Sequence, residues 1–221
     1  MNKPCRATGC TEPTEGHSAY CTRHKRNLRR HGDALQEGIT VTELRPYRKK
    51  VTARRAKNPH SPLWDILRQR WEAIGRNARR ILGEHAKGKP QVSHDVQAAH
   101  HLERTAATTE PDDVIDTALA LYLMHEAKPK RFASDKAFTF QLARRIRGLT
   151  DVHAGTYFDA TTGKVKRVYR DMAPRTLEAF AEPLKVAFGV AAMRLVELDR
   201  KDIQRKMDER ARFQQVLKEL Q

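Results

Sequence analysis

The chemistry-bearing residues of this 221-residue chain gather near its N-terminus. All three cysteines, Cys5, Cys10 and Cys21, lie there, and with His24 they follow the spacing C-x4-C-x10-C-x2-H. Two short-range pairs separated by a loop suit a tetrahedral zinc ion, because each pair comes from one tight turn and the metal joins the turns. Thr8 and Gly9 supply the turn before Cys10, and Cys21 and His24 straddle the start of a helix that Gly32 can end. His17 and His31 are alternative fourth ligands, but neither forms a pair with two-residue spacing. A disulfide fits less well, since three cysteines leave one thiol over. Three thiolates and an imidazole fill the tetrahedron and leave no position for water. The expected cofactor is one structural Zn2+ per chain, with no catalytic role.

The basic run that follows carries Arg23, Lys25, Arg26, Arg29 and Arg30. Arg26, Arg29 and Arg30 share a helix face at i, i+3 and i+4, so they can line a phosphate backbone together. The stretch 5–33, with its cysteine pairs and its helix ending in His31, Gly32 and Asp33, resembles small Cys3His modules of bacteriophage and mobile-element proteins. Those modules often sit at the edge of HNH endonucleases or other DNA-binding proteins. The resemblance covers about 30 residues and implies nucleic-acid business in a phage or mobile-element setting, without fixing an activity; it extends to no other part of the chain.

Charge points the same way. Lys and Arg number 43 against 27 Asp and Glu, a formal charge of +16. Residues 1–60 alone hold 14 basic and 5 acidic side chains. A clustered positive field attracts phosphate polymers. Two further basic surfaces compete with the first helix. One is the segment 37–60, with Arg48, Lys49, Lys50, Arg54 and Arg55, which reads as a connector with a short helix over 51–57 and could track phosphates as a flexible arm. The other is the stretch 156–170, where Lys164, Lys166, Arg167 and Arg170 interleave with Tyr157, Phe158 and Tyr169. That mixture suits a β-ribbon in a groove or stacking on unpaired bases, and equally an edge strand guarded by charge. The arginines at 68, 70, 76, 79 and 80 read as the solvated side of a helix.

Catalytic patterns are missing. The HNH chemistry needs a histidine on a hairpin with a nearby asparagine, whereas His94, His100 and His101 fall in a helical pattern with neither. His101, Leu102 and Glu103 echo the H-x-E of zinc deaminases, but no P-C-x-x-C follows. No P-loop, dinucleotide fingerprint or nucleophile elbow occurs. Glu110, Asp112 and Asp113 are explained by a helix start. The expectation is a protein that is not an enzyme and takes no small-molecule substrate.

Helical periodicity must position these groups. Ser61 and Pro62 open a helix with an inward stripe of Trp64, Leu67, Trp71, Ile74, Ala78 and Ile81, ending near Gly83. A second helix covers 92–105. A third opens at Pro111 and is apolar on most sides over 114–124, so it should be the central buried helix. Ser134 caps a fourth with Phe138, Leu142, Ile146 and Leu149 inward. The period then changes, and β-branched and aromatic residues around Thr161, Thr162, Gly163 and Lys164 predict a β-hairpin. Beyond Pro174 the chain is helical to its end, with Pro183 kinking or restarting it and Glu197–Lys201, Asp202–Lys206 and Asp208–Arg212 pairing along it.

The fold class is therefore mainly α: a small N-terminal zinc finger of the treble-clef knuckle kind (1–36), a basic connector (37–60) and a helical domain (61–221) with a β-hairpin near 156–170 and a long C-terminal helix. The zinc module and the helical domain are expected to have separate sources of stability. The apolar run 117–124 is far short of the ~20 residues of a membrane span. The N-terminal residues lack the apolar run of a secretory signal. The composition and motifs imply a cytoplasmic protein, nucleoid-associated or part of a nucleoprotein complex. It is expected to bind nucleic acid, duplex DNA before RNA. The alternative expectation is a subunit of a larger machine, an RNA-polymerase-associated antitermination factor or a ribonucleoprotein component, using the charged C-terminal helix on a protein partner.

Overall fold

In the computed structural model, which describes residues 3–150, 155–168 and 171–219, the chain is mainly helical, as its periodicity predicts. The elements are α1 (Thr22–His31), α2 (Val41–Lys57), α3 (Pro62–Ala86), α4 (Ser93–Thr108), α5 (Pro111–Ala127), a 3₁₀ turn (Pro129–Arg131) and α6 (Asp135–Arg147). A hairpin of β1 (Gly155–Asp159) and β2 (Lys164–Val168) follows, then α7 (Pro174–Glu219). Among the described residues no helix is long and apolar enough to cross a membrane.

The core is built around α5. Val114, Ile115, Ala118, Leu119, Ala120 and Leu121 are all buried, although they point in every direction from the axis. A helix can be apolar all round only if neighbours cover every face. Here α2, α3, α6 and α7 surround it. The α3 stripe of Trp64, Leu67, Trp71, Ile74 and Ala78 is buried as its spacing predicts, with Ile81 half-buried. The helix runs past Gly83 to Ala86, and Ser61 stands at its N-cap without a side-chain bond to it. On α6, Ser134 does cap, accepting from the Ala137 N–H at 3.1 Å, and Phe138, Leu142 and Ile146 face inward.

The segment 37–60 differs from its reading as a connector. A capping box opens α2: Thr40 Oγ1 accepts from the Glu43 N–H (3.1 Å) and Glu43 Oε2 from the Thr40 N–H (2.7 Å). Two backbone donors at the helix start are thereby satisfied. Leu44, Tyr47 and Val51 lie on the core side and are buried there, and Pro46 is accommodated within the helix on its exposed side. This 17-residue helix packs along α5 and is part of the body.

The long helix α7 has 46 residues, about 70 Å at 1.5 Å per residue, and continues through Pro183 without restarting. Leu177, Phe180, Leu184, Phe188, Ala192, Leu195 and Val196 bury its first half. Every described side chain from 203 onward is exposed. The hairpin pairs antiparallel with Tyr157 opposite Lys166 and Phe158 opposite Val165. Tyr157, Phe158 and Val165 are all exposed.

Candidate metal centre and basic surfaces

The N-terminal loops fold around sulfur. Backbone bonds run from the Cys5 N–H to the Glu12 carbonyl (3.1 Å), from Arg6 to Ala19 (3.0 Å) and from Cys10 to Ala7 (3.0 Å). They hold a first turn carrying Cys5 and Cys10 against the start of α1. Cys21 stands at the α1 N-cap and its carbonyl accepts from the Lys25 N–H at 2.9 Å, which brings His24 onto the first turn beside it. Cys5, Cys21 and His24 are buried and Cys10 half-buried.

The four ligating atoms converge. His24 Nδ1 is 3.4 Å from Cys5 Sγ and 3.3 Å from Cys21 Sγ, and Cys10 Sγ is 4.0 Å from Cys21 Sγ. All four atoms lie within 4.8 Å of one another, and the thiols are free of disulfides. Burial pushes the Cys5 thiol up, but backbone donors at Cys21 and Ala7 and the His24 ring outweigh it and bring the group to about 6. At Cys10 a backbone contact at Glu12 lowers the thiol, while burial and the Cys5 and Cys21 sulfurs hold it above its usual value. Such a set of soft donors could hold a metal ion. Among the described residues it is the one group of three or more His, Cys, Asp or Glu side chains placed to do so. Of the two alternative fourth ligands, His17 is exposed and outside the cluster, and His31 is occupied elsewhere.

The occupation of His31 shows how α1 is anchored to the body. The Gln141 amide on α6 donates to His31 Nδ1 (3.1 Å) while its oxygen accepts the Ile39 N–H (2.9 Å). A second buried amide, Gln36, accepts the Ala133 N–H (2.9 Å) and donates to the Arg131 carbonyl (3.3 Å). Gln36 and Gln141 are 1% and 0% exposed, so these bonds form in the absence of competing water. Gly32 ends α1 at φ 80°, and a Cβ there would stand 2.9 Å from the Lys136 carbonyl oxygen. Both the left-handed backbone and the close approach require glycine. The apolar cluster around the cysteines (Cys5, Ala7, Cys21) is distinct from the main core, yet this polar seam joins the two.

The expected basic surfaces fare differently. On α1, Arg23, Lys25, Arg26 and Arg29 are exposed and make no ion pair among the described residues; Arg23 places its guanidinium 3.4 Å from His24 Nε2. Arg30 pairs with Asp171 at 2.7 Å, and Arg144 of α6 lies 4.0 Å from the same carboxylate. On α2 four of the seven cations are committed to acids, while Arg45, Lys49 and Lys57 are exposed. Arg48 pairs with Asp113 (2.6 Å), Lys50 with Asp199 (2.8 Å) and Arg54 with Asp202 (2.5 Å). Arg55 bridges Asp112 and Asp116 and lies over the Trp64 ring. Of the α2 cations singled out from sequence, Lys49 alone is exposed without an ion pair among the described residues. These residues are a clamp between α2, α5 and α7 and not a flexible arm.

None of the pairs expected along α7, Glu197–Lys201, Asp202–Lys206 and Asp208–Arg212, forms among the described residues. Asp202 meets Arg205 of its own helix (3.3 Å) and Arg54 of α2, while Asp199 also turns toward α2 and Arg200 reaches Glu126 of α5. On α3, Arg68 pairs with Asp112 and Asp65, and Arg70 donates to the Ala187 carbonyl of α7 (2.8 Å), so this side is more than solvated decoration. In the hairpin Lys164 is exposed. Lys166 and Arg167 are placed by backbone register, their side chains lying outside the described set, and Arg170 lies outside the described residues. His94, His100 and His101 all ride on α4; burial, with Arg147 and Arg104 nearby, pushes His101 down to about 4.

Sequence reasoning missed Gln36, Gln141, Asp171 and the joining role of His31. A polar pairing across about 100 residues of chain leaves no periodic trace. No protein-family model matches this chain, and neither a curated protein nor a solved structure matches it significantly.

Proposed function

We propose that this is a non-enzymatic, zinc-stabilised nucleic-acid-binding protein that grips the phosphate backbone, duplex DNA foremost, through the exposed face of α1. The observation that carries the reading is the contrast in pairing: Arg23, Lys25, Arg26 and Arg29, four of the five Lys and Arg side chains of α1, have no acidic partner among the described residues, while four of the seven on α2 are paired with acids. A cation matched by a carboxylate of its own has little net charge to offer a phosphate. An unpaired one releases condensed counterions from DNA when it binds.

Zinc is the metal the donor set supports. A tetrahedron with ~2.3 Å metal–sulfur and ~2.0 Å metal–nitrogen bonds has S–S edges of ~3.8 Å and S–N edges of ~3.5 Å. The observed 4.0 Å and 3.3–3.4 Å separations are close to those edges. Four protein ligands complete the shell, so the ion's role is to fold the loops and fix α1. The Cys3His resemblance supports a phage or mobile-element setting, and the charge supports a place in a cytoplasmic nucleoprotein complex.

The test is the salt dependence of binding to a fluorescent duplex. Replacing Arg26 and Arg29 together by alanine should make the slope of log affinity against log salt shallower by about two units, at about −0.9 per phosphate contact. The paired variant Lys50→Ala with Arg54→Ala should leave the slope nearly unchanged. Equal slopes for the wild type and both variants would sink the reading.

A second reading is favoured by one observation. The distal half of α7 projects beyond the core with Ile203, Met207 and Phe213 exposed among charges. That is a surface for a protein partner, as expected of a subunit of a larger transcriptional or ribonucleoprotein machine.

A further inference from the structure

The seam between α1 and α6 carries an imbalance opposite to that of α2. On α2, one guanidinium, Arg55, serves two carboxylates. At the seam, one carboxylate, Asp171, serves two guanidiniums. Arg30 Nε is 2.7 Å from Asp171 Oδ2, and Arg144 Nη1 is 4.0 Å from Oδ1. The three side chains are 42%, 33% and 28% exposed for Arg30, Arg144 and Asp171, so a polyanion can reach all of them. Burial lowers the Arg144 pKa, Asp171 opposes that, and Arg145, Arg30 and Arg147 depress it further. A second anionic group at this point would relieve the repulsion.

Position adds to the argument. Arg30 follows Arg29 directly and shares a face with Arg26, so the seam continues the α1 surface onto the helical body. The Arg30 guanidinium offers a planar fork of donors that suits phosphate oxygens as well as a carboxylate. Asp171, three residues before α7 begins, holds the place a phosphate would take.

We propose that the seam is a further phosphate-contact point for duplex DNA, in which Arg30 and Arg144 exchange the Asp171 carboxylate for a backbone phosphate. This rests on α1 being the nucleic-acid face. It adds that the contact crosses onto α6, and that Asp171 competes with the ligand.

The exchange has a signature that a structural salt bridge lacks: its two sides should change binding in opposite directions. Asp171→Asn should tighten binding of a fluorescent duplex several-fold at low salt, because no carboxylate has to be displaced, and should change the salt slope little, because the same phosphates are contacted. Arg30→Ala should weaken binding and make the slope shallower by about one. Asp208→Asn, on distal α7, removes the same charge far from the seam and sets the baseline for a general electrostatic gain. The melting temperature of each variant separates binding from folding.

A gain for Asp171→Asn beyond that of Asp208→Asn, with a loss for Arg30→Ala, supports the proposal. If Asp171→Asn gains no more than Asp208→Asn while Arg26→Ala with Arg29→Ala still flattens the slope, the seam proposal is overturned and the α1 reading stands. The seam proposal fails equally if Asp171→Asn and Arg30→Ala both weaken binding in step with melting temperature, because Asp171 is then a fastener only. Should Arg30→Ala leave affinity and slope untouched, the seam makes no contact. A wild-type protein that binds no duplex with measurable salt dependence overturns both readings.

Discussion

Helices α1 and α2 carry similar basic sequence to opposite ends. Each has a run of Lys and Arg within a few turns, and charge counting alone treats them alike. In the folded chain Arg48, Lys50, Arg54 and Arg55 meet acids from α5 and α7, so α2 commits four of its seven cations to internal pairing, leaving Arg45, Lys49 and Lys57 exposed. Four cations of α1 remain in solvent without such partners among the described residues. The formal charge of +16 is therefore a poor map of where a polyanion would bind. Pairing, more than local density, decides which cations stay available.

The two helices also differ in what holds them, and removing the metal should break the comparison most completely. A ten-residue helix is marginal alone, and its start is built from two of the four candidate ligands. Cys21→Ser, or a chelator, should abolish duplex binding and the amide protection of α1 while α2 stays protected. Hydrogen exchange followed by mass spectrometry reads both helices in one experiment. Stoichiometric zinc in the purified wild type is the accompanying expectation. Protection of α1 that survives metal removal would show that the seam alone holds it.

The second effect belongs to α2. Asp116 is 3% exposed, and burial raises its pKa against the pull of Thr52 and Arg55. Arg55→Ala leaves that carboxylate without its main counter-charge and also removes the cation over Trp64. The cost should be about 3 kcal/mol in urea unfolding, in the range for breaking a buried pair from one side. The salt slope of duplex binding should not move. A flattened slope with unchanged stability would mean that Arg55 faces the ligand and that the contrast between the helices is misdrawn.

What could be read in the sequence follows the range of the interactions involved. The candidate metal ligands were legible because C-x4-C and C-x2-H are local spacings that one turn satisfies. Helices α3, α5 and α6 were legible because Trp64 to Ala78, Val114 to Met124 and Phe138 to Ile146 repeat with helical period. The full extent of α2 was obscured by Pro46 and by its many cations, although Thr40 with Glu43, then Leu44, Tyr47 and Val51, carried its signal. The partner of Asp202 on α7 was misassigned because an i,i+4 rule sees one helix, whereas Asp202 answers to Arg54 of α2 across about 150 residues of chain as well as to Arg205 beside it. The seam could not be read at all. Gln36, Gln141 and His31 are ordinary polar residues until tertiary packing removes water around them.

That seam also gives the smallest effect, a pH dependence that should separate the two helices. The Gln141 amide nitrogen can only donate, and its oxygen is fixed on the Ile39 N–H, so His31 must receive through a neutral Nδ1. Burial lowers His31 to about 4, helped by Arg144 and Arg30. A histidine whose folded pKa lies below its unfolded one stabilises the fold fully above the unfolded value, near 6.5. That stability declines as pH falls from there toward 4. On α2 the sign is the carboxylate one. Arg131 holds Glu43 down to about 2, so its contribution persists to about 4.5 and is lost only below that. Between pH 6.5 and 4.5 the seam at α1 should therefore weaken while the α2 cap does not. Amide protection of α1 should fall across that window, and the melting temperature with it by a few degrees. Protons also compete for the ligands of a bound metal as pH falls, so His31→Gln is the deciding variant. It replaces the titrating ring with an amide, and should flatten the α1 profile between pH 6.5 and 5 while metal content stays that of the wild type. If the variant and the wild type lose α1 protection together, proton competition at the metal centre governs this pH range, and His31 is only a packing residue.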